Sequence, residues 1–317
     1  VVAYCSLYEY ASEPSAAYVA LLNCHPRYWK HGFGRELLKR SVARSTELGY
    51  KRLDLHTWPG NMRAVPLYKK TGFFWQPETQ VHMLNFLPQI LPLARDFFDG
   101  DDWYTAYQRE LEVKEDDIAW NGMRVYPYNF ARNGRTLKAI IDRESRGLTA
   151  LETDEFSVAC LVPSHDLAAG MPALVRWELV NKTPAPLQVS LLASGENGLT
   201  LHKQATLDVR DRSVVEAMMT VERDVVAHEK DEAAHKISST LVVGGRLIVL
   251  ETGVRPKQAV EITAEPAYIS LTPGWPQAVH LRLKNNLQQP VRASVALMGS
   301  AGLAVSPAQH NVDLPAD

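Results

Sequence analysis

Cys24-His25-Pro26-Arg27-Tyr28-Trp29-Lys30-His31-Gly32-Phe33-Gly34-Arg35-Glu36-Leu37-Leu38 is the stretch that decides the fold of the first part of the chain. It reads as the end of an apolar strand, a break at Pro26, a turn through Gly32 and Gly34, and the start of an amphipathic helix. The first N–H groups of a helix lack intrahelical partners, and its dipole adds partial positive charge there. Strand, glycine turn and helix together make an anion cradle. Gly32 and Gly34 put no Cβ between the backbone and a bound phosphate. Lys30, His31 and Arg35 add positive or protonatable side chains. Glycine turns before helices are common, so the segment specifies a turn on its own and a phosphate site only with support from elsewhere.

That support lies about thirty residues downstream. The spacing predicts a helix over Arg35–Leu48, with Leu37, Leu38, Val42 and Leu48 on one side and Gly49 just past its end. Lys51–Trp58 alternates as a strand does. Leu53, Leu55 and Thr57 face one way, and Arg52, Asp54, His56 and Trp58 the other. Pro59-Gly60 turns. Asn61 then reads as the N-cap of a short helix carrying Ala64, Leu67 and Tyr68, which ends at Gly72-Phe73. Pro66 falls near its first turn, where a missing N–H costs least.

Asn61-Met-Arg-Ala64-Val-Pro-Leu67-Tyr68-Lys-Lys-Thr-Gly72-Phe73 resembles the second signature of the GNAT N-acetyltransferase superfamily, and Cys24-His-Pro26…Gly32-Phe33-Gly34 resembles its first, the pyrophosphate loop. The resemblance covers residues 1–88 and is strongest over 21–73. It departs at Trp29, where the family usually has Gln or Arg. It implies that acetyl-coenzyme A, the cosubstrate, lies where two parallel strands, Tyr18–Cys24 and Lys51–Trp58, splay apart. Its pyrophosphate would sit on the 29–35 turn and its pantetheine arm beside Leu22–Cys24. The residues so implied in coenzyme binding are Leu22, Cys24, Trp29, Lys30, His31, Gly32, Phe33, Gly34, Arg35, Asn61 and Ala64. The reaction implied is direct attack of a primary amine on the thioester. It needs a donor for the oxyanion, here a backbone N–H near Cys24, and an acid for the departing thiolate, here Tyr68. Each has a plainer reading: Tyr68 as a core ring, Asn61 as a helix cap, Cys24 as a strand residue, and His31 and Lys30 as solvated loop residues. Tyr18–Cys24 contains no carboxylate, and Glu9, Asp54, His56 and His25 remain as candidate bases.

Val1–Glu9 matches the third strand of the family pattern, so the sequence reads as a fragment lacking the N-terminal part of that fold. Further on, Pro172-Ala-Leu-Val-Arg-Trp-Glu-Leu-Val-Asn181 aligns without gaps to Pro276-Gln-Ala-Val-His-Leu-Arg-Leu-Lys-Asn285, and the match runs through Gly195/Gly299 and Gly198-Leu199/Gly302-Leu303. The offset of 104 residues is the size of one β-sandwich of about 100 residues. The alternating strands resemble the bacterial Ig-like domains appended to many enzymes. The expected fold is therefore multidomain: a partial α/β GNAT-like mixed sheet followed by all-β Ig-like sandwiches. The expected units are 1–88, a connecting β-rich region 89–153, a sandwich 154–258, and a second, incomplete copy 259–317. Within 89–153, Leu93–Phe98 reads as a short helix, and Trp120-Asn121-Gly122 and Arg132-Asn133-Gly134 as hairpin turns. Trp103, Tyr104, Tyr107, Trp120, Tyr126, Tyr128 and Phe130 read as core, with a ligand groove as the rival reading.

Composition bounds the partners. With 34 Lys+Arg against 36 Asp+Glu, the net charge is −2, and no basic cluster points to nucleic acid. No apolar run reaches the length of a membrane span. Cys5, Cys24 and Cys160 are too widely spaced for a disulfide framework. His228-Glu-Lys-Asp-Glu-Ala-Ala-His235 lacks the spacing of a zinc-binding helix, and no metal is expected. These readings favour a cytoplasmic enzyme acting on a small-molecule or peptide amine, with homo-oligomer formation left open. The rival is a non-catalytic acyl-coenzyme A-binding or adaptor protein whose sandwiches serve as interaction modules.

Overall fold

A computed structural model describes residues 1–11, 13–79, 81–98, 100, 102–109, 116–223, 225, 235–287 and 289–316. The first unit is a five-stranded mixed sheet. Its strands are β1 (Ala3–Glu9), β2 (Ala16–Cys24), β3 (Arg52–His56), β4 (Phe74–Trp75) and β5 (His82–Asn85), in the order β1-β2-β3-β5-β4. β2 and β3 run parallel, and the other neighbours are antiparallel. Helix α1 (Phe33–Glu47) is the crossover between the parallel pair. It buries Leu38, Ser41, Val42 and Ser45, an i, i+3, i+4, i+7 stripe, against Ala17, Val19, Leu53 and Leu55. Gly32 at φ 85° precedes it and Gly49 at φ 80° follows it, both left-handed positions that suit glycine. The helix thus begins two residues before the expected Arg35 and takes Phe33 and Gly34 into its first turn.

β3 shows the alternation read from the sequence, but both of its faces are covered. Leu53 and Leu55 meet α1, while Arg52 and Asp54 are also buried. Arg52 donates from Nε and Nη2 to the two oxygens of Asp54, at 2.6 and 2.8 Å, and from Nη1 to Glu13 Oε1 at 2.8 Å. Glu13 also accepts from Arg146 Nη1 at 2.7 Å, and His82 Nε2 reaches Asp54 Oδ2 at 3.0 Å. Buried charge is tolerated when every member is paired and hydrogen-bonded, and this network meets that condition.

Helix α2 (Val65–Lys70) leads to β4, and α3 (Leu87–Phe98) packs against α1, β3 and the strand Arg135–Asp142. α3 is twice the length expected from Leu93–Phe98. The proline at 88 falls in its first turn, where no N–H is needed. After α4 (Trp103–Ala106) the described chain is β, antiparallel except where Asp166–Ala168 pairs in parallel with Arg255–Lys257. One sheet runs from Tyr107–Gln108 through Met123–Arg132, Arg135–Asp142, Leu148–Thr153, Phe156–Leu161, Pro172–Asn181 and Arg212–Val221 to Leu199–Thr200. Position 153 therefore falls between adjacent strands of a single sheet. Asn121-Gly122 and Asn133-Gly134 have all four residues at positive φ, as type I′ hairpins require. A second sheet, from His202–Val209 through Leu187–Glu196 and Lys236–Val243 to Arg246–Gly253, closes the sandwich. Trp177 lies between the sheets, its indole donating to Ser239 Oγ at 2.9 Å. Trp103, Tyr107, Tyr126, Tyr128 and Phe130 are buried core residues, and Tyr104 and Trp120 pack at its margin.

The strands 104 residues apart repeat their pairing. Phe156–Leu161 faces Arg176–Asn181, and Val260–Glu265 faces His280–Asn285 in the same register. Asn181 Nδ2 donates to the carbonyl of Ala185 and its Oδ1 accepts from Thr183 N; Asn285 repeats both bonds with Gln289 and Leu287. Gly195 and Gly299 each pass so close to a carbonyl, of Leu199 and Leu303, that a Cβ would approach it to 2.2 Å. The next hairpin slips by one residue: Leu187 faces Val209, whereas Val291 faces Leu314. Of the stretch 228–235, only His235 is among the described residues. It is buried, and its Nδ1 meets the carbonyl of Asn197.

Candidate functional site

The parallel ladder between β2 and β3 is short. It pairs Ala16 with Arg52 and ends at Val19 with Leu55. β2 continues for five more residues, to Cys24, with β1 on one edge only. A β-bulge sits at that point: Ser6 faces Leu21 and Leu7 faces Val19, so Ala20 is the extra residue on β2. The N–H of His25 bonds Val2 on the β1 side at 2.9 Å. Alternation along the strand then turns the backbone groups of Leu22 and Cys24 to the open edge. The sheet therefore offers a free strand edge in a wedge, where an extended amide chain can bond.

The cradle closes the far end of that wedge. Pro26–Tyr28 forms a single 3-10 turn, Lys30 takes φ 65°, and Gly32 opens α1. No side chain caps the helix N-terminus. A Cβ on Gly32 would meet Arg35 Nη2 at 3.5 Å, whereas one on Gly34 would press on Leu67 Cδ2 at 3.2 Å. The missing side chain at Gly34 thus admits α2 against α1, a packing role beside the phosphate role expected from sequence. Phe33 is half-exposed on the rim and stacks near His31. His31 Nδ1 lies 2.9 Å from the carbonyl of Trp29. Arg35 is shared between Glu36 and the ring of Tyr104.

Trp29, the residue where the sequence departs from the family pattern, is 46% exposed and donates from Nε1 to the carbonyl of Cys24 at 2.9 Å. Arg63 lies over its ring, 4.5 Å from the centroid. One side chain thus occupies a carbonyl of the free edge and ties the cradle to the segment before α2. Arg63 carried no signal in the sequence reading. The Cys24 thiol points to the carbonyls of His25 and Tyr28. A shallow open pocket of about 220 Å³, lined by Val1, Val2, Tyr4, Asn23, Cys24 and His25, adjoins this end of β2.

Asn61 lies before α2 rather than at its N-cap position, which Ala64 occupies. Its Oδ1 accepts from Ala64 N at 3.3 Å, and its Nδ2 donates to Thr57 Oγ1 at 3.2 Å. It caps the turn, and the helix starts later than expected. Tyr68, on α2, is 9% exposed, packs against Phe73 and faces the Cys5 side of the sheet. Burial first, and then Cys5, pushes its pKa above the ordinary phenol value, so the hydroxyl stays protonated at neutral pH and can act as a donor.

The four candidate bases separate by position. Glu9 faces Ala17 at the paired end of β2, away from the splay. His25 Nδ1 accepts from the N–H of Arg27. Asp54 is fully buried; burial would raise its pKa, but Arg52 and His82 outweigh that and hold it below the usual carboxylate range. His56 is the first residue of β3 beyond the ladder and remains exposed. Its Nδ1 lies 3.0 Å from Tyr18 Oη, and its ring stacks on His82 at 4.5 Å. Burial of its ring and then the neighbouring His82 lower its pKa, against an opposing pull from Asp54. Tyr10, Tyr18 and His82 complete a cluster that alternation on a single strand could not reveal. Among the described residues no group of His, Cys, Asp or Glu is placed to hold a metal ion, and no helix is long and apolar enough to cross a membrane.

Residues 1–73 match the family model of the Acetyltransferase (GNAT) family, and this segment spans β1 through α2. No curated protein matches the chain. Among solved structures, the ribosomal-protein-S18-alanine N-acetyltransferase from Escherichia coli is similar at 22% identity and a TM-score of 0.23, over 26% of this chain and 60% of that one. Salmonella alpha-2-macroglobulin reacted with methylamine is similar at 11% identity and a TM-score of 0.23, over 57% of this chain and 15% of that one. The chain thus spans less than two thirds of the length of either protein.

Proposed function

We propose that the N-terminal unit is an acetyl-coenzyme A-dependent N-acetyltransferase. The observation that carries this reading is the coincidence of three features: the ladder that stops at Val19–Leu55, the free edge over Leu22–Cys24, and the Gly32-opened helix at its end. All three lie inside the segment that matches the GNAT family. On this reading the pantetheine amides bond the free edge, and the pyrophosphate sits on the N–H groups opening α1 with Lys30 and Arg35 nearby. A primary amine, of a small molecule or a peptide, attacks the thioester carbonyl. A backbone N–H near Cys24 bonds the oxyanion, and Tyr68 gives its proton to the departing thiolate.

The test is thiol release from acetyl-coenzyme A in the presence of an amine panel. Tyr68→Phe is expected to slow release about 10²-fold while leaving coenzyme A affinity within a factor of two. Unchanged release removes Tyr68 from the chemistry. A second reading, a non-catalytic acyl-coenzyme A-binding or adaptor protein, is favoured by one observation: the Trp29 indole already occupies the Cys24 carbonyl. That reading expects binding by calorimetry with no thiol release from any amine.

A further inference from the structure

We infer that His56 is the general base that takes the proton of the attacking amine, held by Tyr18 on one side and stacked on the Asp54-bound His82 on the other. This rests on the acetyl-transfer reading above and supplies the group that reading leaves unassigned. The argument is positional. The ladder ends at Leu55, the bulge falls at Ala20, and His56 is the next residue of β3, so its side chain stands where the strands part. It lies on the face of Tyr18, Asp54 and His82, opposite the face that packs on α1 and that holds Cys5, on whose side Tyr68 lies. Acid and base thus approach the wedge from opposite faces of the sheet.

The groups around His56 suit the role. From β2, Tyr18 Oη lies 3.0 Å from Nδ1; the tautomer whose Nδ1–H donates to that oxygen leaves Nε2 with its lone pair free. From β5, His82 stacks at 4.5 Å and directs its Nε2 to Asp54. From the turn between β1 and β2, the ring of Tyr10 stacks on Tyr18. On β3 itself, Asp54 lies two residues back and is held by Arg52. Desolvation and then His82 lower its pKa, against an opposing pull from Asp54, which favours the neutral form a base requires.

As the amine nitrogen bonds the carbonyl carbon, it becomes cationic and its proton passes to His56 Nε2. The carbonyl re-forms, the C–S bond breaks, and the thiolate takes the phenolic proton of Tyr68. His56 then loses its proton to solvent and Tyr68 regains one, so the net products are the amide and free coenzyme A.

The test uses the full chain with acetyl-coenzyme A and three amine probes: phenethylamine, spermidine and a tetrapeptide with a free N-terminus. Coenzyme A affinity is measured by calorimetry, and kcat by thiol release between pH 5 and 9. The wild type is expected to show an acidic limb in kcat centred below the ordinary imidazole value of about 6.5. His56→Gln is expected to bind coenzyme A within twofold, lose about 10²-fold in kcat, and lose that limb. A rate kept, or a rate lowered with the limb unmoved, overturns the assignment while the acetyl-transfer reading stands. Should His56→Gln fail to fold by circular dichroism, Tyr18→Phe decides: the limb must shift with a several-fold loss of kcat, and an unmoved limb overturns the assignment. Absence of coenzyme A binding or of thiol release in the wild type overturns the acetyl-transfer reading, and this assignment with it.

Discussion

Removal of one oxygen, in Tyr128→Phe, tests how the first unit is held to the β-rich unit. The Tyr128 ring is fully buried among Phe74, Tyr107 and neighbouring core residues. Its hydroxyl donates to the carbonyl of Gly72 at 2.8 Å and accepts from the N–H of Phe86 at 2.8 Å. Both groups belong to connections in the first unit, between α2 and β4 and between β5 and α3. Phenylalanine leaves the shape intact and strands one buried carbonyl and one buried N–H. Each stranded group costs about 1–3 kcal/mol, so the pair costs about 2–6 kcal/mol. That is a large share of the roughly 5–15 kcal/mol by which a domain is stable. Urea unfolding of the full chain, followed by tryptophan fluorescence and far-UV circular dichroism, measures it. Burial, and then Tyr107, raises the Tyr128 pKa well above the ordinary phenol value. The hydroxyl's contribution is therefore complete below about pH 10 and is lost as pH rises through the folded pKa. The deficit of Tyr128→Phe should be constant from pH 6 to 9. A loss under about 0.5 kcal/mol would show that the two bonds do not hold the units together and would refute the reasoning.

Two further changes probe the wedge and the network beneath it. Trp29→Gln frees the Cys24 carbonyl, and since one neutral hydrogen bond is worth about 1 kcal/mol net, coenzyme A affinity by calorimetry should rise about fivefold; a fall would mean that the indole belongs to the site. Asp54→Asn leaves Arg52 short of a partner in a buried setting and should cost about 3–5 kcal/mol at pH 7 in urea unfolding. Because the folded pKa of Asp54 lies below its unfolded value, its stabilisation is present above about pH 4 and fades as pH falls through the folded pKa. The gap between wild type and variant should therefore narrow in acid, and a gap independent of pH would exclude Asp54 as an ionised member of the network.

The parts of the fold that follow from local chemistry could be read from the sequence. The stripe Leu38–Val42, the glycines at both ends of α1 and the break at Pro26 were enough to place helix and cradle. The alternation in β3 located the strand and divided its two faces but carried no sign that the polar face is covered. Arg52 and Asp54 are buried there, and Arg52 shares Glu13 with Arg146, which lies far along the chain. Burial of that kind depends on tertiary partners and leaves no periodic trace. The same limit hid the cluster at His56, assembled from β2, β3, β5 and the turn at Tyr10. It also hid the use of the Trp29 indole, since a departure from a motif says which residue is lost and not where the replacement side chain goes. The repeat was legible because Asn181 and Asn285 perform the same hydrogen-bonding task at one spacing. The one-residue slip in the following hairpin was not, since register is set by pairing.

The free edge of β2 is the feature on which the acetyl-transfer account stands. Amide hydrogen exchange of the full chain, with and without acetyl-coenzyme A, examines it residue by residue. The account predicts slowed exchange at the amides of Leu22 and Cys24 and at the first turn of α1, with Val19 and the other amides of the β2–β3 ladder unchanged. Equal exchange at Leu22, Cys24 and the Gly32–Arg35 turn in both states, at saturating ligand, would contradict it.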